Sequence, residues 1–195
     1  MRKSYGAWFF AMLLLAAPSS ATTLLRLTVE EMSVQAEMIV VGEVTEVQSQ
    51  WNAARTMIYT YVTVDVAQCI AGACGDTVKI KQRGGSVGQW SLPIPGMPKF
   101  VVGQKVLLFL EKDPEGVPGY AYVLGMCQGM FLIAKDAKEG KDVAVQQGGA
   151  ALADVGADGV IRVLPGEKPL KVALKNLLKK IKTALKNLSK GGVKP

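Results

Sequence analysis

Residues 57–68 alternate apolar and polar with a period of two, setting Ile58, Thr60, Val62, Val64 and Val66 on one face and Tyr59, Tyr61, Thr63 and Asp65 on the other. That is the pattern of a strand with one buried face. Met38 to Gln48 is β-branched and apolar around Gly42, which predicts a strand with a bulge or bend at the glycine. Thr77 to Arg83 places Val78 and Ile80 inward and Thr77, Lys79, Lys81 and Arg83 toward water. Lys105 to Glu111 is apolar on both faces, Val106, Leu108 and Leu110 against Leu107 and Phe109, and so reads as a central strand covered on both sides. Tyr120 to Leu124 and Met130 to Ala134 complete five or six strands, and Asp113-Pro114-Glu115-Gly116 folds the first of them back as a hairpin.

Two stretches switch to a helical period. Thr28-Val29-Glu30-Glu31 has the form of a capping box, in which the threonine side chain and the third-position glutamate satisfy each other's backbone N–H groups, and predicts a short helix to about Glu37. Near the other end, Leu170, Ala173, Leu174, Leu177, Leu178, Ile181, Ala184, Leu185 and Leu188 form a stripe opposed by Lys171, Lys175, Lys179, Lys182, Lys186 and Lys190. Pro169 suits the first turn of that helix, and Gly191-Gly192 ends it. Residues 144–168, rich in Ala and Gly, read as a linker with at most a hairpin.

Consecutive antiparallel strands, one long loop and little helix predict a mainly β fold. The expected architecture is a small OB-like antiparallel β-barrel over residues 22–143, with a short N-terminal helix and a basic amphipathic helix over 169–190; closing the sheet removes its exposed edges.

The first residues add an address. Arg2 and Lys3 precede an apolar run from Ala7 to Ala17, and Ser19 and Ala21 fit a small-residue cleavage site, so residues 1–21 read as a signal peptide with the mature chain starting near Thr22. The apolar run is well short of the roughly 20 residues that span a bilayer. The protein is therefore expected to be exported, periplasmic or secreted.

The formal net charge of +7 divides unevenly. Residues 22–165 carry twelve Lys or Arg against fifteen Asp or Glu, whereas residues 166–195 carry nine Lys against Glu167 alone. A mildly acidic body argues against a nucleic-acid groove, which needs clustered cations. Lys171, Lys175, Lys179, Lys182 and Lys186 are the candidates for contact with an anionic membrane surface. The same helix has a second outcome open to it, with its leucine stripe folded back on the barrel and its lysines merely solvated.

Three cysteines in an oxidising compartment allow one disulfide and a spare thiol. Cys69 and Cys74 flank a glycine-containing loop and are expected to pair, leaving Cys127 over and buried. The chain has no histidine, so histidine-dependent Ser or Cys triads and His-bound catalytic metals are excluded; no metal or cofactor is expected. Gly84, Gly85 and Gly88 do not make a phosphate loop, for no Gly-Lys-Ser/Thr ending follows them. Glu43, Glu46, Asp65, Asp76, Glu111 and Asp113 leave one catalytic alternative, a hydrolase relying on carboxylates only, which requires two of them to converge in a pocket.

What remains is binding. The Gly- and Pro-rich segment from Gly84 to Gln104 is long for a loop without function and carries Trp90. Trp90 and Trp51 are either exposed anchors for a protein or other envelope component or lids over a barrel end. Tyr59 with Tyr61, and Tyr120 with Tyr122, sit two apart on strands and form either a stacking platform or cross-strand packing. The expected function is a non-catalytic interaction module.

Ala36-Glu37-Met38-Ile39-Val40-Val41-Gly42-Glu43-Val44, then Tyr59 to Val66, the Cys69 to Gly75 loop and Val102-Gly103-Gln104-Lys105-Val106-Leu107-Leu108-Phe109-Leu110 resemble uncharacterised exported bacterial proteins. More distantly, they are similar to the OB-type barrel of netrin-like modules and tissue inhibitors of metalloproteinases. The resemblance covers residues 36–134 and implies a barrel that presents loops to a partner. Those inhibitors bind the target's zinc through an N-terminal cysteine, and the expected N-terminus here is Thr22, so that mechanism does not carry over.

Overall fold

A computed structural model of the chain describes residues 23–136, 139–147, 151–155, 161–164 and 170–191. The expected signal peptide, residues 1–21, the expected N-terminus at Thr22, Pro169 and parts of the expected linker lie outside the described residues. In chain order the elements are β1 (Thr23–Leu25), α1 (Val29–Gln35), β2 (Met38–Trp51), β3 (Ile58–Ala71), β4 (Thr77–Arg83), β5 (Gly85–Val87) and β6 (Trp90–Leu92). They continue as β7 (Lys105–Lys112), β8 (Ala121–Val123), β9 (Met130–Lys135), β10 (Asp142–Gln146), β11 (Ala151–Val155), β12 (Ile161–Leu164), β13 (Lys171–Ala173) and α2 (Leu174–Gly191).

Five of these strands close on themselves as an OB-like barrel in the order β7-β2-β3-β4-β8 and back to β7. The two longest strands make this possible. β2 pairs with β3 from Ile39 to Trp51 but with β7 only from Met38 to Glu43, so it belongs to two walls of the barrel. Its ladder with β3 shifts register at Gly42, as the glycine predicts; a Cβ there would run into the carbonyl of Asp65. Every barrel pair is antiparallel except the closing one, where β4 and β8 meet in parallel at Ile80 and Ala121. The sequence pattern suggested antiparallel neighbours throughout; the β7–β8 hairpin, turning at Asp113 to Gly116, delivers β8 to the far edge of β4 in the other sense.

Two apolar clusters flank β7. Val106, Leu108 and Leu110 point into the barrel with Val40, Val44, Val62, Val64, Val78, Ile80 and Phe100. Leu107 and Phe109 point out and join Ile39 of β2, Val29 and Met32 of α1, Phe131, Ala144 and, from α2, Leu177 and Ile181. The doubly apolar strand is therefore covered on both faces, as read from its sequence. The α1 capping box also forms: Glu31 N–H donates to Thr28 Oγ1 at 3.2 Å, and Thr28 N–H donates to Glu31 Oε2 at 2.7 Å.

The C-terminal part differs from the linker-and-helix reading. Residues 144–146, expected to begin the linker, instead belong to strand β10, which is hydrogen-bonded between β9 and β13 and carries fully buried Ala144. The helix begins at Leu174 rather than Pro169, because Lys171 to Ala173 pair with Val143 to Val145 as β13. Leu170 is consequently exposed and Ala173 lies on a strand, so neither belongs to the helix stripe. The rest of the stripe docks: Leu177, Ile181 and Ala184 are buried, and Lys180 Nζ pairs with Glu30 Oε2 of α1 at 3.0 Å. Strands β11 and β12 form an antiparallel hairpin beside β1, within the hairpin allowance of the sequence reading.

Candidate binding surface

The helices cover one side of the barrel and leave the outer face of β2, β3 and β4 open. Register sets its residues in rows: Gln50, Tyr59 and Arg83; then Gln48, Tyr61 and Lys81; then Glu46, Thr63 and Lys79. Period-two alternation creates this face, because Ile58, Thr60, Val62 and Val64 between these positions are buried inside. Glu46, Gln48, Gln50, Tyr61, Thr63, Lys79 and Tyr120 line a polar depression of about 150 Å³. Tyr61 meets Tyr120 edge to face, 5.3 Å between ring centroids.

Lys81 departs from expectation. Its alternation points it to water, and it does lie on the outer face, yet it is 5% exposed. The turn between β7 and β8 folds over it and brings two carboxylates. Lys81 Nζ donates to Asp113 Oδ2 at 3.4 Å and to Glu115 Oε2, and it stands 4.5 Å from the centroid of the Tyr59 ring. Glu115 Oε1 accepts from the Tyr59 hydroxyl at 2.8 Å and from Arg83 Nε and Nη2 at 3.2 and 3.1 Å. Asp113 Oδ2 also accepts from Val117 N–H at 3.0 Å.

The electrostatics follow from these contacts. The Lys81 hydrogen bond, then that of Tyr59, holds the Glu115 carboxyl at a pKa of about 2. Burial pulls the Lys81 ammonium down, but the two carboxylates more than offset it and leave it above its ordinary value. The Glu115 hydrogen bond raises the Tyr59 hydroxyl. This is a neutralised, mutually satisfied cluster that fastens the β7–β8 turn to β4.

At one end of the face stand the two tryptophans. The segment expected to be a structureless loop contains a ribbon in which Ser86 pairs with Ser91 and Val87 with Trp90, turning through Gly88 at φ 57°. The ribbon is held by its backbone. Thr60 Oγ1 donates to the Gly84 carbonyl at 2.7 Å, lies 2.9 Å from Ser49 Oγ, and leaves no room at Gly85 for a Cβ. Trp90 thereby comes to rest edge-on against Trp51, 6.3 Å between centroids at 73°. Trp51 is itself set by a tight β2–β3 connection, where Asn52 Oδ1 accepts from the Thr56 and Met57 N–H groups. Trp90 remains 60% exposed.

The tyrosines thus divide three ways: Tyr59 into the ion cluster, Tyr61 with Tyr120 on the open face, and Tyr122 through its hydroxyl to Met97 Sδ at 3.2 Å. Of the six candidate carboxylates, Glu43 and Asp65 stand opposite each other on the exposed β2–β3 ladder, Glu46 lines the polar depression, Asp76 is exposed just before β4, and Asp113 is bound to Lys81. Glu111 lies in a separate depression with Glu37, where burial and then the Glu37 charge raise its pKa. Among the described residues no cluster of three or more His, Cys, Asp or Glu is arranged to hold a metal ion. Cys69 and Cys74 are disulfide-bonded, as expected, and Cys127 is buried outside that bond. Lys175, Lys179, Lys182 and Lys186 face solvent from α2, whereas Lys171 lies on β13 with its Nζ 2.8 Å from Asp136 Oδ2. No described helix is long and apolar enough to cross a membrane.

Sequence reasoning singled out Trp51, Trp90, Tyr59 and Tyr61 but missed Glu115 and the burial of Lys81. The available signal was an acid-rich turn, Asp113 to Gly116, in a chain with a lysine and an arginine two apart on a neighbouring strand. No family model matches this chain, and no curated protein matches it.

Proposed function

We propose that this chain is an exported, non-catalytic binding module that takes a protein or other envelope component on the outer face of β2, β3 and β4, with Trp90 as anchor. The carrying observation is the pose of Trp90: a large aromatic left 60% exposed, yet braced edge-on by Trp51 and presented on a ribbon fixed through its backbone. An exposed, immobilised tryptophan loses little freedom on binding and offers a large contact area, the character of an interface hot spot. The neighbouring face is rich in OB-fold binding features, with aromatic, amide and charged side chains on the second and third barrel strands.

Export is supported by the leader-like pattern of residues 1–21 and by the Cys69–Cys74 disulfide, which suits an oxidising compartment. A non-catalytic role is supported by the ion-paired state of Asp113 and Glu115. The test is Trp90→Ala in the exported protein, with partner capture from the envelope or secreted fraction and thermal unfolding measured side by side. Capture is expected to fall by about thirtyfold, the weight of a hot-spot residue, with stability nearly unchanged. A loss of several kcal/mol in stability instead would assign Trp90 to the barrel and sink the anchor.

A further inference from the structure

With its apolar stripe docked, α2 turns a different face outward. Lys175, Lys179, Lys182 and Lys186 fall at intervals of four, three and four, which places them in one line about 16 Å long at 1.5 Å per residue. They border a shallow depression of about 440 Å³ together with Leu178 and Thr183. All four lysines are exposed. Among the described residues none of them enters an ion pair, whereas Lys180, one position off the line, pairs with Glu30.

This pattern works against the helix that carries it. Lys175 with Lys179, and Lys182 with Lys186, are like charges one turn apart, which disfavour the helical state. Lys175 also sits in the first turn, where the helix dipole prefers an acid, and that turn has none. Solubility alone is served equally well by mixed charges. A row of unpaired cations held straight by a docked helix is complementary to a surface of fixed negative charge.

We propose that this lysine line docks the protein on an anionic phospholipid surface. The ammonium groups meet headgroup phosphates, while Leu178, between Lys175 and Lys182, stays packed against the barrel's outer cluster. The leucine stripe stays on the barrel, so the attachment is peripheral and electrostatic rather than by insertion of an amphipathic helix. Lys171, on β13 and paired with Asp136, takes no part.

The experiment is co-sedimentation of the full chain with vesicles of phosphatidylcholine mixed with phosphatidylglycerol. It is repeated for a chain with Lys175→Gln, Lys179→Gln, Lys182→Gln and Lys186→Gln together. Both proteins carry the same N-terminus, so its apolar run contributes equally, and the salt-sensitive part of binding is read. The native chain is expected to bind at low salt, to be released toward about 0.5 M salt as the Debye length contracts, and to gain no helix on binding. The fourfold variant is expected to bind at least about tenfold more weakly. A set of four Lys→Arg changes retains the charge and is expected to retain binding, which separates charge loss from misfolding. Equal binding by the glutamine variant, binding indifferent to salt, or a large gain of helicity each overturns the proposal. So does a native chain that binds inorganic polyphosphate while ignoring the vesicles, which would assign the line to an anionic polymer.

Discussion

The ammonium of Lys81 lies 3.4 Å from Oδ2 of Asp113, with both side chains almost sealed from solvent. Their contact, shared with Glu115, fastens the β7–β8 turn across β4 and so flanks the weakest seam of the barrel, where β4 and β8 share a single bridge. A buried ion pair is costly to break because removing one partner leaves the other charge uncompensated. Lys81→Met keeps the aliphatic stem and removes the charge. It is expected to lower unfolding free energy by about 3 kcal/mol, since Glu115 retains Arg83 and Tyr59 while Asp113 keeps only the Val117 N–H. Urea unfolding at neutral pH measures it.

The same cluster sets a pH dependence. Glu115 has a folded-state pKa of about 2 against an ordinary 4.5, so its contribution is fully present above the ordinary value and is lost as pH falls toward 2. Glu30 and Glu31, lowered chiefly by hydrogen bonds from Lys180 and from the Thr28 backbone, act in the same direction. Glu111, raised by burial, opposes them. The Glu115 share is isolated by difference. Glu115→Gln is expected to be less stable than the native chain at pH 6, with the gap closing steadily as both are titrated toward pH 2; a gap that stays constant would refute the linkage.

Gly85 decides whether the Trp90 ribbon can sit where it does. Its φ is 131°, and a Cβ would run into Ser49 Oγ and into Thr60 Oγ1, which also holds the Gly84 carbonyl in place. Gly85→Ala is expected to cost about 1–3 kcal/mol and to separate Trp90 from Trp51. The near-ultraviolet circular dichroism of the tryptophan pair reports the second effect independently of the first.

Ile181 and Lys182 are adjacent on α2 but belong to opposite faces. Ile181 is fully buried between α1 and the outer wall of the barrel, so Ile181→Ala is expected to cost about 2–5 kcal/mol. Lys182→Ala is expected to stay within about 0.5 kcal/mol. Equal and small effects in thermal or urea unfolding would mean that the helix does not dock in solution.

For the cysteines, peptide mapping without reduction is expected to find Cys69 linked to Cys74. Cys127, 2% exposed, is expected to react with an alkylating agent only after unfolding. Opening the Cys69–Cys74 loop by reduction is expected to cost about 2 kcal/mol, small because the loop is short.

Several of these features are local and were legible in the chain. The β3 alternation, the doubly apolar β7, the bend at Gly42, the Thr28–Glu31 capping box and the Cys69–Cys74 staple each depend on residues within a few positions of one another. Hydrophobic period and backbone preference act at that range, and together they determined a mainly β barrel with two helices. Trp90 stood out because a tryptophan in a Gly- and Pro-rich segment has no local reason to be there. Tertiary structure alone decided what each open face would meet. Lys81 alternates as a surface residue and became buried because a turn more than thirty positions away in sequence brings two acids over it. Residues 142–146 and 171–173 have weak strand patterns and became β10 and β13 because β9 offered an unpaired edge. The leucine stripe of α2 is equally suited to lipid or to protein, and the outward-pointing Leu107 and Phe109 of β7 settled it, since burying both apolar surfaces against each other removes more area from water than leaving either open.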